Sequence, residues 1–260
     1  NEIKNCTISG NSSTGVYFGY SDYNTIDSNT IENNYNFGIC TDHSGNNIIQ
    51  YNTISGNGNT AIGSTSAGVS LRNFSNSNTM DSNTILDNTW DGIQLKPGSS
   101  NIIRNNTINQ SILRADRSGI VLSGSSSQSN IIEGNTIENN NYYGISLGSG
   151  CNSNTISQNS VVRSKWGMNI ENAKSNIVKY NTIQNSTVWG MTLIGSYTKY
   201  NQIYRNNFVN NAGQVAGVTG NTFSQDPPIG GNYWSNWVPP SHPDNNGDGF
   251  VDVPYVFPAG

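Results

Sequence analysis

Two short stretches, Asp87-Asn88-Thr89-Trp90-Asp91-Gly92 and Arg114-Ala115-Asp116-Arg117, gather carboxylates, guanidinium groups and an indole ring in a chain of which only 11% is charged. Hydrolysis of a glycosidic bond needs two carboxyl groups, one protonated as acid and one ionised as base or nucleophile. Asp91 and Asp116 form the pair available here. Cleavage of a uronate by β-elimination needs instead a base and a cation that neutralises the sugar carboxylate, and Arg114, Arg117 and Lys165 offer such charges. Downstream, Tyr142-Tyr143, Lys165-Trp166 and Trp189 again set rings beside polar groups. Rings of this kind stack on pyranose faces, although the same rings would also serve to shield a core at a corner.

These residues must be positioned by a repeat. One ladder reads Cys6, Asn29, Asn52, Asn83, Asn106, Asn135, Asn159, Asn181 and Asn207, nearly always followed by Thr and an aliphatic residue. A second, Asn24, Asn47, Asn78, Asn101, Asn130, Asn154, Asn176 and Asn201, runs five residues ahead of it in every coil but the last, where the gap is six. A third signal is Gly followed by an aliphatic residue, from Gly15-Val16 and Gly38-Ile39 to Gly190-Met191. Self-similarity at such a period is the mark of a solenoid. Alternation within each short strand puts Ile, Val or Leu inward. The expected fold is all-β, a right-handed parallel β-helix of about nine to ten coils of 22–24 residues, with three parallel sheets. Asn at a recurring corner is expected to take the left-handed conformation and to hydrogen-bond to its counterpart one coil away.

In a solenoid the regular positions hold the fold, so chemistry is sought where the repeat lengthens. The interval from ladder Asn to Gly is 9 or 8 residues in most coils but 16 from Asn52 to Gly68 and 13 from Asn106 to Gly119. Two walls are therefore expected on one edge, flanking Trp90 and Asp91. The outward positions of the Gly-aliphatic strands add Arg72, Gln94, Lys96, Asn169 and Glu171 as a solvated charged strip. The catalytic candidates are Asp91, Asp116, Arg117 and Lys165. The substrate-binding candidates are Trp90, Arg114, Tyr142, Tyr143, Trp166, Asn169, Glu171, Trp189, Gln94 and Lys96.

The Asn-Thr-Ile coils resemble the carbohydrate-binding and sugar-hydrolase β-helix proteins, NosD-like periplasmic proteins and archaeal surface proteins among them, over residues 1–223. After Asn221 the repeat gives way to Gly230-Gly231-Asn232-Tyr233-Trp234-Ser235, and residues 224–260 are expected to cap the open end. Within that segment Asp244, Asn246, Asp248 and Asp252 take positions 1, 3, 5 and 9 of an EF-hand-type loop, with Gly249 at 6 and the Phe250 carbonyl at 7. A structural Ca2+ is expected there, although Tyr255 stands where an EF-hand has its bidentate Glu. This tail together with the coils is similar to the methanogen disaggregatases, which depolymerise a chondroitin-like matrix. The resemblance implies degradation of an acidic surface polysaccharide but identifies no catalytic residue. A glycan-binding or stalk module is the alternative.

Composition narrows the classes further. With 12 Lys+Arg against 16 Asp+Glu and no basic cluster, the chain lacks the footprint of a nucleic-acid binder. No apolar run is long enough to span a bilayer. Cys6, Cys40 and Cys151 have no metal-ligand or disulfide spacing and read as free thiols. His43 and His242 lie far apart and offer no copper-type cluster. The chain opens in mid-repeat, so an extracellular or cell-surface location is expected with the export signal upstream, as is a monomer within a larger multidomain chain without organic cofactor.

Overall fold

Consecutive short strands pair not with one another but with the strand about 23 residues later, and every pairing between named strands is parallel. A computed structural model describes residues 1–58, 66–109, 117–217, 219–226, 228–237 and 255. Its strands stack into three sheets of nine, ten and nine strands, with no helix among the described residues. The first sheet runs from Glu2–Lys4 to Gln202–Tyr204, the second from Thr7–Ser9 to Tyr233–Trp234, and the third from Val16–Gly19 to Gly213–Ala216. This is the expected three-sheet parallel β-helix of about nine turns. Asp116 and Arg114 fall outside the described residues, as do Asp244, Asn246, Asp248, Phe250 and Asp252 of the calcium-type loop.

The core is thin because each three-residue strand turns only its central side chain inward. Ile26, Ile49, Met80, Ile103, Ile132, Ile156, Val178 and Ile203 form one such column, and Ile31, Ile54, Ile85, Ile108, Ile137, Val161, Ile183 and Phe208 another. Each buried aliphatic side chain contributes roughly 1.5–3 kcal/mol. At the C-terminal end Trp234 stacks on Phe208 at 4.7 Å and on Tyr255 at 4.3 Å, covering the last core layer.

The corners differ in one respect from the expectation. The left-handed residue is the one before each ladder Asn: Ser28, Tyr51, Ser82, Asn105, Gln158, Tyr180 and Arg205 in one ladder, and Tyr23, Asn46, Ser77, Ser100, Ser129, Ser153, Ser175 and Tyr200 in the other. The ladder Asn itself keeps an ordinary backbone and is buried, so its amide is free to bridge coils. Asn83 donates both its backbone N–H and its Nδ2 to Asn106 Oδ1 at 2.9 Å, and Nδ2 also donates to the Ile49 carbonyl at 2.8 Å. Left-handed geometry costs an L-residue about 1–2 kcal/mol, and these bonds offset it.

The last rung is Asn206, not Asn207, since Asn181 bonds to Asn206 and Asn206 to Asn232. The spacing from Asn201 is therefore five residues, as in every other coil. Asn207 sits one place on in the strand Asn207–Val209. A third ladder, unread in the sequence, runs through Asn11, Asn34, Asn57 and Asn88.

Candidate functional site

The third sheet is the one whose outer face changes from coil to coil. Counted from each Gly-aliphatic pair, its strands carry three rows of outward or edge positions. The middle row pairs Tyr17, Cys40, Ser70, Gln94, Val121, Ser146, Asn169, Thr192 and Ala216 in register. A second row pairs Gly19, Asp42, Arg72 and Lys96, and further along Glu171 with Ile194. The edge row pairs Ala67 with Asp91, then Tyr143, Trp166, Trp189 and Gly213.

From Cys40 to Thr192 the middle row is buried at every position but Val121, and most of its side chains are small or polar, whereas Tyr17 at its start is exposed. Gln94 is 2% and Asn169 is 1% exposed, which corrects the expectation of a solvated strip at these positions. They lie beneath the side chains of the neighbouring rows on the outer face of the sheet. Thr192 donates to Asn169 Oδ1 at 2.9 Å, and Asn169 Nδ2 donates to Ser146 Oγ at 3.3 Å.

Asp91 opens the strand Asp91–Lys96 on the edge row. Gln94 Nε2 donates to its Oδ2 at 2.8 Å, and the Ser118 backbone N–H donates to its Oδ1 at 3.0 Å. Desolvation nevertheless dominates and pushes its pKa up, against those two bonds and the charges of Lys96 and Arg117. Burial pushes the Lys96 amine down, partly countered by Asp91. The Arg117 guanidinium lies 3.4 Å from the centroid of the Trp90 ring, and Arg117 is 5% exposed. Its position makes it a support for the Trp90 wall.

Beyond this charged centre lies an aromatic band. Tyr142 meets Tyr143 edge-on at 4.3 Å and Trp166 at 4.9 Å, and Lys165 Nζ sits 4.5 Å over the Trp166 ring. Burial, with a hydrogen bond to Tyr142, pushes the Tyr143 phenol up. Trp189 continues the band; its ring packs on Gly213, where an added Cβ would come within 2.2 Å of ring carbons. Glu171 is exposed on the second row.

The sequence reading missed a second cluster in the first coils, apart from Arg72. Arg72 donates from Nε and Nη2 to Asp42 Oδ2, each at 3.2 Å. Asn73 Nδ2 donates to Asp42 Oδ1 at 2.9 Å, His43 Nδ1 lies 2.8 Å from the same oxygen, and Tyr17 Oη donates to Oδ2 at 3.4 Å. Burial alone would raise the Asp42 pKa, but the bonds from Asn73 and His43 and the charge of Arg72 hold it below the usual carboxylate value. The signal was available: Asp42 and Arg72 stand at the same offset from Gly38 and Gly68, hence side by side.

The family described as periplasmic copper-binding protein (NosD) matches residues 105–238, and the right-handed β-helix region matches residues 1–112. The chain belongs to the NosD family. No protein of curated function matches its sequence. Among solved structures, this NosD-family chain is similar to a double mutant of the periplasmic alginate epimerase AlgG, with a TM-score of 0.59 and 16% identity over 74% of this chain and 47% of that one. It is similar to the A-module of the Azotobacter vinelandii mannuronan C-5 epimerase AlgE6, with a TM-score of 0.59 and 17% identity over 89% of this chain and 57% of that one. An alginate lyase from Paenibacillus sp. str. FPU-7 gives 0.51 and 17% over 89% and 90%. The chain spans about half the length of the epimerases, and at these identities the likeness is one of fold.

The family's copper finds no fitting donor set among the described residues, where no three His, Cys, Asp or Glu side chains converge. Burial pushes the Cys40 thiol up to about 11 and the Cys151 thiol up to about 12, away from the thiolate a metal needs. Among the described residues, too, no helix is long and apolar enough to cross a membrane.

Proposed function

We propose that the chain binds and depolymerises an acidic, uronate-bearing polysaccharide along the outer face of the third sheet. The observation that carries this reading is the strand Asp91–Lys96, whose two charged ends are both desolvated, on the same sheet as the aromatic band from Tyr142 to Trp189. Hydrolysis would need a second carboxyl group at about 5–10 Å. On the described strands of this face, the carboxylates flanking Asp91 are Asp42, two strands back, and Glu171, three strands along, at about 4.8 Å per strand; both stand in the row of Lys96, five positions along the strand from Asp91, and are too distant to pair with it. One carboxylate beside cations is the set for elimination.

In that reaction Lys96, whose lowered pKa enlarges its neutral fraction, removes the proton from the sugar carbon that bears the carboxylate. The C–H electrons form the new C4–C5 double bond. The C4–O bond breaks, and its oxygen leaves with the electron pair and takes a proton from solvent. Asp91 acts on Lys96 only through its charge, while Trp166, Tyr142 and Tyr143 hold neighbouring sugars by stacking. The substrate type implies work in the periplasm or at the cell surface, and a matrix polysaccharide of the kind disaggregatases degrade fits it. The Asp244–Asp252 loop is proposed to hold a structural Ca2+, to be checked by a fall in melting temperature on chelation.

The test follows reducing ends and absorbance of unsaturated sugars together, on uronate polysaccharides, for wild type, Lys96→Met and Asp91→Asn. Unsaturated products that disappear in Lys96→Met support elimination at this site. Reducing ends without unsaturation would move the chemistry to Asp91 with Asp116. Binding without products would make the chain a glycan-binding module.

A further inference from the structure

Elimination needs a cation on the sugar carboxylate, and Arg117, tucked under Trp90, is badly placed to reach it. We infer that the cleft formed by Tyr17, Phe37 and Arg72 is a uronate subsite next to Lys96, in which Arg72 takes the sugar carboxylate. The inference rests on the reading above and extends it toward the first coils of the sheet.

Three observations converge on it. Ser13, Thr14, Tyr17, Asn36, Phe37 and Arg72 line an open cleft of about 430 Å³ on the third sheet. Its lining pairs a cation with apolar ring surface, which is what a pyranose bearing one carboxylate offers in return. Arg72 is the register partner of Lys96 on the adjacent strand, so their backbones lie one strand spacing, about 4.8 Å, apart, and one uronate chain crossing the strands can meet both side chains.

The guanidinium is also pre-positioned. Its Nε and Nη2 are anchored on Asp42 and it lies 5.6 Å from the centroid of the Phe37 ring, while its side chain remains 35% exposed. Anchoring one edge on a carboxylate that His43 and Asn73 already hold leaves the rest of the planar group to meet an incoming anion without first losing its own freedom. Tyr17 reaches Asp42 over Gly19, where an added Cβ would come within 2.8 Å of the ring. Asp42, His43 and Asn73 are therefore positioning residues, and Arg72 with Tyr17 contacts the sugar.

The test titrates wild type, Arg72→Gln, Arg72→Lys, Tyr17→Phe, Lys96→Met and Trp166→Ala with trigalacturonate and trimannuronate, with maltotriose as the neutral control. Melting temperatures confirm that each variant is folded. Arg72→Gln is expected to weaken an acidic trimer at least tenfold and to flatten the salt dependence of its binding. Arg72→Lys should recover part of the affinity, and maltotriose should be indifferent to all substitutions at 72. Wild-type affinity in folded Arg72→Gln overturns the subsite while leaving the reading of Lys96 and the aromatic band in place. Loss of trimer binding in Arg72→Gln, with product release unchanged in Lys96→Met, keeps the subsite and removes the central base. Failure of the wild type to bind either acidic trimer removes both.

Discussion

Asp42 and Asp91 lie on the same face of the same sheet, yet their surroundings drive them in opposite directions. Asp42 is met by Arg72, Asn73, His43 and Tyr17 and is held ionised below the ordinary carboxylate value. Asp91 receives two hydrogen bonds, but desolvation outweighs them and its pKa rises. The first is a fixed anion that orients a cation; the second is a carboxyl whose charge answers to its surroundings. This face is therefore graded, with a hydrogen-bonded, ionised carboxylate in the first coils and a desolvated one nearer the aromatic band.

The largest expected effect removes the scaffold the two regions share. Asn83→Ala leaves the buried Asn52 backbone N–H without its acceptor and removes the bonds that Asn83 Nδ2 donates to the Ile49 carbonyl and to Asn106, while Asn52 Nδ2 keeps the Ile26 and Gln50 carbonyls. At 1–3 kcal/mol for an unpaired buried group, the loss is about 3 kcal/mol, read from the urea midpoint. Both regions should weaken together. A loss confined to one would break the picture of a single cooperative stack.

Trp166→Ala sharpens the comparison, because it strips the band and leaves Asp42 untouched. Affinity for an acidic polysaccharide is expected to fall about tenfold, or about 1.4 kcal/mol, measured by calorimetric titration. Arg117→Gln should loosen Trp90 and push the Asp91 pKa further up, lowering stability by about 1 kcal/mol, the scale of a partly desolvated cation–π pair, read from thermal melts.

The smallest effect is the pH dependence, and its sign is opposite in the two regions. The folded-state pKa of Asp42 lies below its unfolded value, so its contribution is present above the unfolded pKa and is lost as pH falls through the folded one. The folded-state pKa of Asp91 lies above its unfolded value, so its contribution is full at low pH and is lost as pH rises through the folded one. Melting temperature against pH should therefore lose part of its acid limb in Asp42→Asn, and in Asp91→Asn part of the decline that sets in as pH rises above the ordinary carboxylate value. The Asp42 effect is under about 1 kcal/mol, as for an exposed ion pair. Parallel shifts in the two variants would contradict the contrast.

The fold was legible because Asn and Gly recur at nearly fixed intervals, and a solenoid translates interval directly into register. The slip from Asn206 to Asn207 came from two adjacent asparagines, which spacing alone does not rank; only the bonds from Asn181 and to Asn232 do. The aromatic band was legible because each ring of Tyr143, Trp166 and Trp189 directly precedes a Gly. The Asp42 cluster was not, because Asp42 and Arg72 are separated by the longer coil and become neighbours only when counted from their own glycines. Burial of Gln94 and Asn169 was hidden for another reason. Alternation says which way a side chain points, not whether the rows beside it shade it.

A crystal structure with a bound uronic acid oligosaccharide decides whether an acidic glycan lies along the outer face of the third sheet. Sugar density is expected to span Arg72 and Lys96 and to run toward Trp166, with a carboxylate on Arg72. Density on the first or second sheet, with this face bare, would contradict it.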